Sequence, residues 1–191
     1  ADIDSKTPSR TIKTVAVIGA GTMGGGIAIA LLDACYQVML LERAQQALDA
    51  GCARIEKNYQ DQVAKGRLKD VQKDARLAAL KPVTDIEELA AADLVIEAVF
   101  EDLSVKREIF ATLARVTKPG TILATNTSYI DVNEIATAAG DRVSDVLGMH
   151  FFSPANVMKL LENVRGEKTS DEVIATVMDL SRRIGKVGVL V

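Results

Sequence analysis

The chain has 191 residues, 48% of them hydrophobic and 26% charged, with a formal net charge of -3 at pH 7. This length holds about one to one and a half globular domains with a sizeable core, and the mildly acidic balance argues against nucleic acid as the main partner. No apolar run approaches the ~18 residues of a membrane span, and Cys35 and Cys52 lack metal-ligand spacing, so they read as small buried hydrophobes of a reducing compartment and no metal is expected.

Residues 1–10 are polar, contain Ser, Thr and Pro, and read as a linker to a single domain over residues 11–191. Ile12 to Ile18 is a β-branched apolar run suited to a strand buried on both faces. It breaks into Gly19-Ala20-Gly21-Thr22-Met23-Gly24, a G-x-G-x-x-G in its required place between a strand and a helix. Gly19 permits the tight turn, Gly21 lets the backbone approach a pyrophosphate, and Gly24 lets the helix pack closely on the strand. The helix from Thr22 to Ala34 then turns its free N–H groups and positive dipole end toward the phosphates. Gln37 to Leu41 reads as the second strand. Glu42 closes it at about the 20-residue distance where an acid meets a ribose diol. A carboxylate there accepts both hydroxyls and repels a 2′-phosphate, favouring NAD over NADP, although Arg43 beside it suits a phosphate.

Farther along, Ala44 to Lys65 and Val71 to Leu80 have helical composition, separated by a break at Gly66. Lys81 to Thr84 reads as a short strand and Asp93 to Val99 as a stronger one. Asp102 to Val116 reads as a helix, and Pro119-Gly120 turns the chain into a strand over Thr121 to Thr125. A helix over Val132 to Ala138 precedes strands over Val143 to Met149 and Met158 to Val164. Ser170 to Ile184 is an amphipathic helix with acids in its first turn and Arg182 and Arg183 in its last. Val187 to Val191 reads as a last strand, and the chain is expected to be a domain of a longer one. This alternation implies an α/β fold, a Rossmann-type doubly wound and mostly parallel sheet, with its chemistry at the carboxyl ends of the strands.

Three segments follow such strands: the acid-rich Glu97 to Lys106, Asn126-Thr127-Ser128, and His150-Phe151-Phe152-Ser153-Pro154. Asp102 suits a helix N-cap and Asn-Thr-Ser suits a turn. His150 is the only histidine in the chain, directly after a predicted strand at the cofactor edge, where a general base belongs. Glu162 is an acid inside the apolar run Leu160 to Val164 and needs a partner. His150 is the obvious one if adjacent strands bring them together, and a structural ion pair or a solvent-facing Glu162 are the alternatives.

Val15 to Ala28, Glu97 to Lys106, Asn126 to Ser128, and above all the run from Gly148 through HFFSPA to Glu162 resemble the NAD-binding domain of L-3-hydroxyacyl-CoA dehydrogenases. The resemblance covers about Thr11 to Val191 and is nearest to the dehydrogenase part of bifunctional enzymes with an upstream enoyl-CoA hydratase domain. It implies NAD-dependent oxidation of the 3-hydroxyl of L-3-hydroxyacyl-CoA in fatty-acid β-oxidation. His150 would be the general base, Glu162 would orient and polarise it, and Ser128 would bond the substrate oxygen or the imidazole region. Glu101 and Lys106, with Asn126 and Ser128, would contact the cofactor, joining Gly19, Gly21, Thr22, Met23, Gly24 and Glu42. Asn58 and Lys65, seven apart on one helix face, would contact coenzyme A. The family's further substrate-orienting asparagine and its all-helical dimerisation domain lie beyond this chain, so the fragment is expected to bind NAD and to be weakly active or inactive. The resemblance further implies an acyl-CoA partner and a homodimeric parent; the charge balance and the short apolar runs predict no nucleic-acid or membrane partner, and the lack of a targeting segment fits the bacterial cytoplasm, with the peroxisome as the alternative. A dehydrogenase of free hydroxy acids and a non-catalytic NAD-binding protein are the rival readings.

Overall fold

The computed structural model describes residues 3–191. Eight strands form one sheet: β1 (Thr14–Ile18), β2 (Gln37–Leu41), β3 (Leu80–Val83), β4 (Leu94–Glu97), β5 (Ile122–Thr125), β6 (Val146–Phe151), β7 (Leu160–Val164) and β8 (Val187–Leu190). Their spatial order is β3-β2-β1-β4-β5-β6-β7-β8. Strands β1 to β6 pair in parallel, β7 runs antiparallel to β6, and β8 runs parallel to β7. The chain builds outward from β1 to β3, then returns to β1's other side for β4. The sheet order therefore reverses between β1 and β4, and a crevice opens at their carboxyl ends.

Helices α1 (Thr22–Asp33), α2 (Gln45–Ala64), α3 (Asp70–Ala78), α4 (Leu103–Val116), α5 (Val132–Ala136) and α6 (Asp171–Arg183) cover the two faces. Along β1, Val15 and Val17 point into the core shared with α1, α2 and α6, while Ala16 and Ile18 point into the core shared with α4 and α5. The alternation of a strand buried on both faces explains why β1 reads as an unbroken apolar run. Helix α1 is itself buried over Ile27 to Leu32, as expected of a helix with no charged residue before Asp33.

Three expectations are corrected. The last predicted strand before His150 starts at Val146, not Val143, because Thr137–Asp145 coils as 3₁₀ turns broken at Gly140, whose φ is 57°. Asp145 is held there by Arg10 at 2.7 Å and Arg142 at 2.8 Å. A second 3₁₀ segment, Ile86–Ala91, occupies a stretch in which the sequence reading has no element. Cys35 is exposed in a left-handed turn with φ 66°, and Cys52 is only half-buried, so neither is the fully buried hydrophobe expected. Asp102 and Ser170 do cap α4 and α6, accepting from the amides of Val105 and Val173. Among the described residues no helix is long and apolar enough to cross a membrane, and no cluster of His, Cys, Asp or Glu has metal-ligand geometry.

Candidate active site

The glycine turn at the end of β1 is dictated by two close approaches. Gly19 has φ 105°, and a Cβ there would lie 2.8 Å from the Ala98 carbonyl oxygen at the end of β4. At Gly24 a Cβ would lie 1.7 Å from the Gly19 carbonyl oxygen, so the first turn of α1 closes only on glycine. Gly21 is different: its Cβ position meets no atom within 4 Å and opens into space. Gly21 also caps α1 without any side-chain hydrogen bond, which leaves the helix's first N–H groups free for an anion. Thr22 is exposed and Met23 half-buried on that same first turn. Gly26 seats Ala155 of the β6–β7 connection, its Cβ position lying 3.1 Å from the Ala155 Cβ, whereas Gly25 faces open space.

Beside this turn a cleft of about 510 Å³ runs between Gly19, Gly21, Glu42 and Arg43 on one side and Val99, Phe100 and α4 on the other. The Glu42 carboxylate stands just beyond β2, 3.4 Å from the Ala20 amide and 3.5 Å from the Ala44 amide. Arg43 lines the same cleft but is exposed.

At the carboxyl ends of β4 and β5 lies a buried polar web. Glu97 is fully buried and accepts from the Val99 amide at 2.8 Å, Lys106 Nζ at 2.7 Å and Thr125 Oγ1 at 2.7 Å. Lys106, equally buried, also donates to the Val99 carbonyl at 3.3 Å and stands 3.5 Å from Glu101 Oε1. Glu101 in turn accepts from Thr127 Oγ1 at 2.7 Å. The two fully buried charges, Glu97 and Lys106, pair with each other, which is the condition for keeping them out of water, and the second carboxylate, Glu101, is partly exposed. The Lys106 ammonium faces inward onto Glu97, and Glu101 is the member of the pair expected at the cofactor that reaches solvent. Asn126 spends its Oδ1 on the Phe151 amide, 2.8 Å away, and so ties the end of β5 to β6.

His150 lies inside β6 rather than just after it, because the strand runs on to Phe151. The antiparallel register of β6 and β7 pairs His150 with Glu162 directly, and Nδ1 stands 2.9 Å from Glu162 Oε2. A carboxylate only accepts, so in the neutral ring the bridging proton sits on Nδ1 and Nε2 is left as the free acceptor. The imidazole is 19% exposed and leans on the Phe152 ring at a centroid distance of 4.5 Å. The pair is therefore half-sheltered and still reachable.

Ser128 is exposed on the loop after β5, and among the described residues its hydroxyl forms no hydrogen bond to His150. Asn58 is half-buried on α2 and accepts from Gln62 Nε2 at 2.7 Å, while Lys65 is exposed at that helix's C-cap. Neither touches the His150–Glu162 pair. Three groups were missed by sequence reasoning. Glu97 carries the same signal as Glu162, an acid inside an apolar run. Arg54, which donates to the Ala20 carbonyl at 2.6 Å and ties α2 to the glycine turn, and Lys186 carry no local signal.

The family described as 3-hydroxyacyl-CoA dehydrogenase, NAD binding domain, matches residues 14–191. The chain is 44% identical over 184 residues to the glyoxysomal fatty acid beta-oxidation multifunctional protein MFP-a of Brassica napus, covering 95% of this chain and 25% of that protein. It is 45% identical over 175 residues to 3-hydroxyadipyl-CoA dehydrogenase of Escherichia coli strain K12, covering 92% of this chain and 37% of that one. Among solved structures, 3-hydroxybutyryl-CoA dehydrogenase from Escherichia coli K12 superposes with a TM-score of 0.92 at 44% identity, over 95% of this chain and 38% of that chain. The chain thus spans about a quarter of the length of the multifunctional relatives it matches.

Proposed function

The chain belongs to the 3-hydroxyacyl-CoA dehydrogenase family as its NAD-binding domain, and on that premise we propose that it serves the oxidation of the 3-hydroxyl of L-3-hydroxyacyl-CoA to the 3-oxoacyl-CoA in fatty-acid β-oxidation. Its cofactor is NAD, and the residues fit that group: an open position at Gly21, uncapped amides at the start of α1, and Glu42 at the end of β2 for a ribose diol. NAD, when bound, supplies the hydride acceptor.

The observation that carries the reading is the 2.9 Å contact of His150 Nδ1 with Glu162, at the same end of the sheet as the glycine turn. Glu162 holds the imidazole in the tautomer whose Nε2 is free, and Nε2 takes the proton of the 3-hydroxyl as general base. Ser128 hydrogen-bonds the substrate oxygen. Glu101, braced from behind by Lys106, contacts the nicotinamide half of the cofactor together with Asn126. Asn58 and Lys65 contact coenzyme A. The parent is a longer chain that pairs through a C-terminal helical domain and carries an enoyl-CoA hydratase domain upstream, in a bacterial cytoplasm or, alternatively, a peroxisome. Hydride transfer depends on positioning that a closing domain provides, so the 191-residue chain alone binds NAD and turns over weakly.

Calorimetric titration with NADH, with NADPH, and with NADH in the presence of acetoacetyl-CoA tests this reading. NADH binding that is selective and tightened by acetoacetyl-CoA is expected. Equal affinity for NADPH, or no response to the acyl-CoA, overturns the cofactor or the substrate assignment respectively. In the active parent, His150→Gln is expected to lower kcat by about 10² to 10⁴.

A further inference from the structure

Lys186 lies between α6 and β8, outside every element that carries the candidate site, and is only 7% exposed. Among the described residues no carboxylate forms an ion pair with it. Its ammonium donates instead to the carbonyls of Ala155 and Met158, each at 2.6 Å. The next amide, that of Val187, donates to the Lys159 carbonyl at 2.8 Å. Burial draws the Lys186 pKa below the ordinary lysine range and Lys159 adds to the effect, against a smaller opposing pull from Asp33. A cation placed in this way is costly unless its hydrogen bonds secure something.

All three carbonyls belong to the connection between β6 and β7. That connection joins the strand of His150 to the strand of Glu162, and its register decides whether Nδ1 meets the carboxylate. The opposite side of the same connection rests on α1, where Ala155 is 1% exposed and packs at Gly26. The connection is therefore gripped from one side by Lys186 and supported on the other by the helix that follows the glycine turn. Within the turn itself the amides of Val157 and Met158 both donate to the Pro154 carbonyl at 2.9 Å, which leaves the Ala155 and Met158 carbonyls free to accept from the ammonium.

We propose that Lys186 is a positioning residue for the His150–Glu162 pair, acting by holding the β6–β7 connection through the Ala155 and Met158 carbonyls. It touches neither imidazole nor carboxylate. This assignment rests on the reading of that pair as the base and its orienting acid.

The chain contains a single histidine, so ¹⁵N NMR of its imidazole at alkaline pH reports the tautomer without ambiguity. The unsubstituted chain is expected to show a protonated Nδ1 and a bare Nε2. Lys186→Met, which keeps the length of the side chain and removes the ammonium, is expected to lower the Nδ1–H fraction at least about 2-fold while the NADH Kd stays within about 2-fold, because the glycine turn is untouched. Lys186→Arg, still able to donate to both carbonyls, restores the signature. If Lys186→Met does not fold, Lys186→Gln, which keeps a neutral donor, decides by the same spectrum and is expected to fall between the two. A folded Lys186→Met or Lys186→Gln chain with the unaltered tautomer signature overturns the proposal. Failure of the dehydrogenase reading looks different: the signature is present in the unsubstituted chain, but acetoacetyl-CoA elicits no NADH oxidation in the active parent.

Discussion

The Asp93 carboxylate sits where β1 and β4 begin, accepting from the amides of Lys13 at 2.8 Å and Thr14 at 3.0 Å and from Lys118 Nζ at 2.6 Å. Burial alone raises its pKa, but Lys118 and the two amides outweigh burial and hold it below the ordinary carboxylate value. A folded pKa below the unfolded one means that the stabilisation is present above the unfolded value, about pH 4, and is lost as pH falls through the folded value. Asp93→Asn is therefore expected to cost about 1–2 kcal/mol at neutral pH. Chemical denaturation should show the gap to the unsubstituted chain closing below about pH 4; a gap that does not change with pH contradicts this account. At this scale the sequence was informative wherever a residue type clashed with its surroundings. Glu162 amid leucines needed a partner and has one in His150. Lys106 shows the opposite, because a lysine at the start of a helix reads the same in sequence whether its ammonium faces the cleft or, as here, a buried Glu97.

Among the elements, the glycine turn with α1 separates stability from binding. Gly24→Ala puts a methyl 1.7 Å from the Gly19 carbonyl oxygen, and the helix must shift, at a cost of about 1–3 kcal/mol. Gly21 has φ -75°, an ordinary conformation, and open space beside it. Gly21→Ala should leave stability within about 0.5 kcal/mol while weakening NADH at least about 10-fold, since the methyl enters the space expected to hold the pyrophosphate. Thermal melts and NADH titrations on the two variants check the contrast, and a Gly21→Ala chain that binds NADH normally removes the pyrophosphate from that position. Strands and helices were legible here because period and punctuation agreed: β2 runs over Gln37–Leu41 as read, and α6 carries its acids and arginines where its dipole favours them. The start of β6 was not legible. Val143 is apolar and looks like strand, but Arg10 and Arg142, distant from each other in sequence, hold Asp145 in a 3₁₀ turn.

Over the whole molecule, the reversal of strand order between β1 and β4 gathers the ends of β1, β2 and β4 around one cleft. Hydrogen–deuterium exchange on adding NADH should slow amides in Gly19 to Gly24 and in the segments after β2 and β4, leaving α3 and β3 unchanged; protection centred on β7 and β8 contradicts this placement. The sequence by itself determined the class of fold, the glycine turn, the acid at the end of β2 and the family, because these are written in local periodicity and in short motifs whose spacing is set by backbone geometry. Only the tertiary structure decided that β7 runs antiparallel to β6 and so faces Glu162 with His150, that Glu97 and Lys106 neutralise each other beneath Glu101, and that Lys186 reaches back to the β6–β7 connection. Each of these joins residues through packing across the sheet, and long-range contacts of that kind leave no periodic trace along the chain.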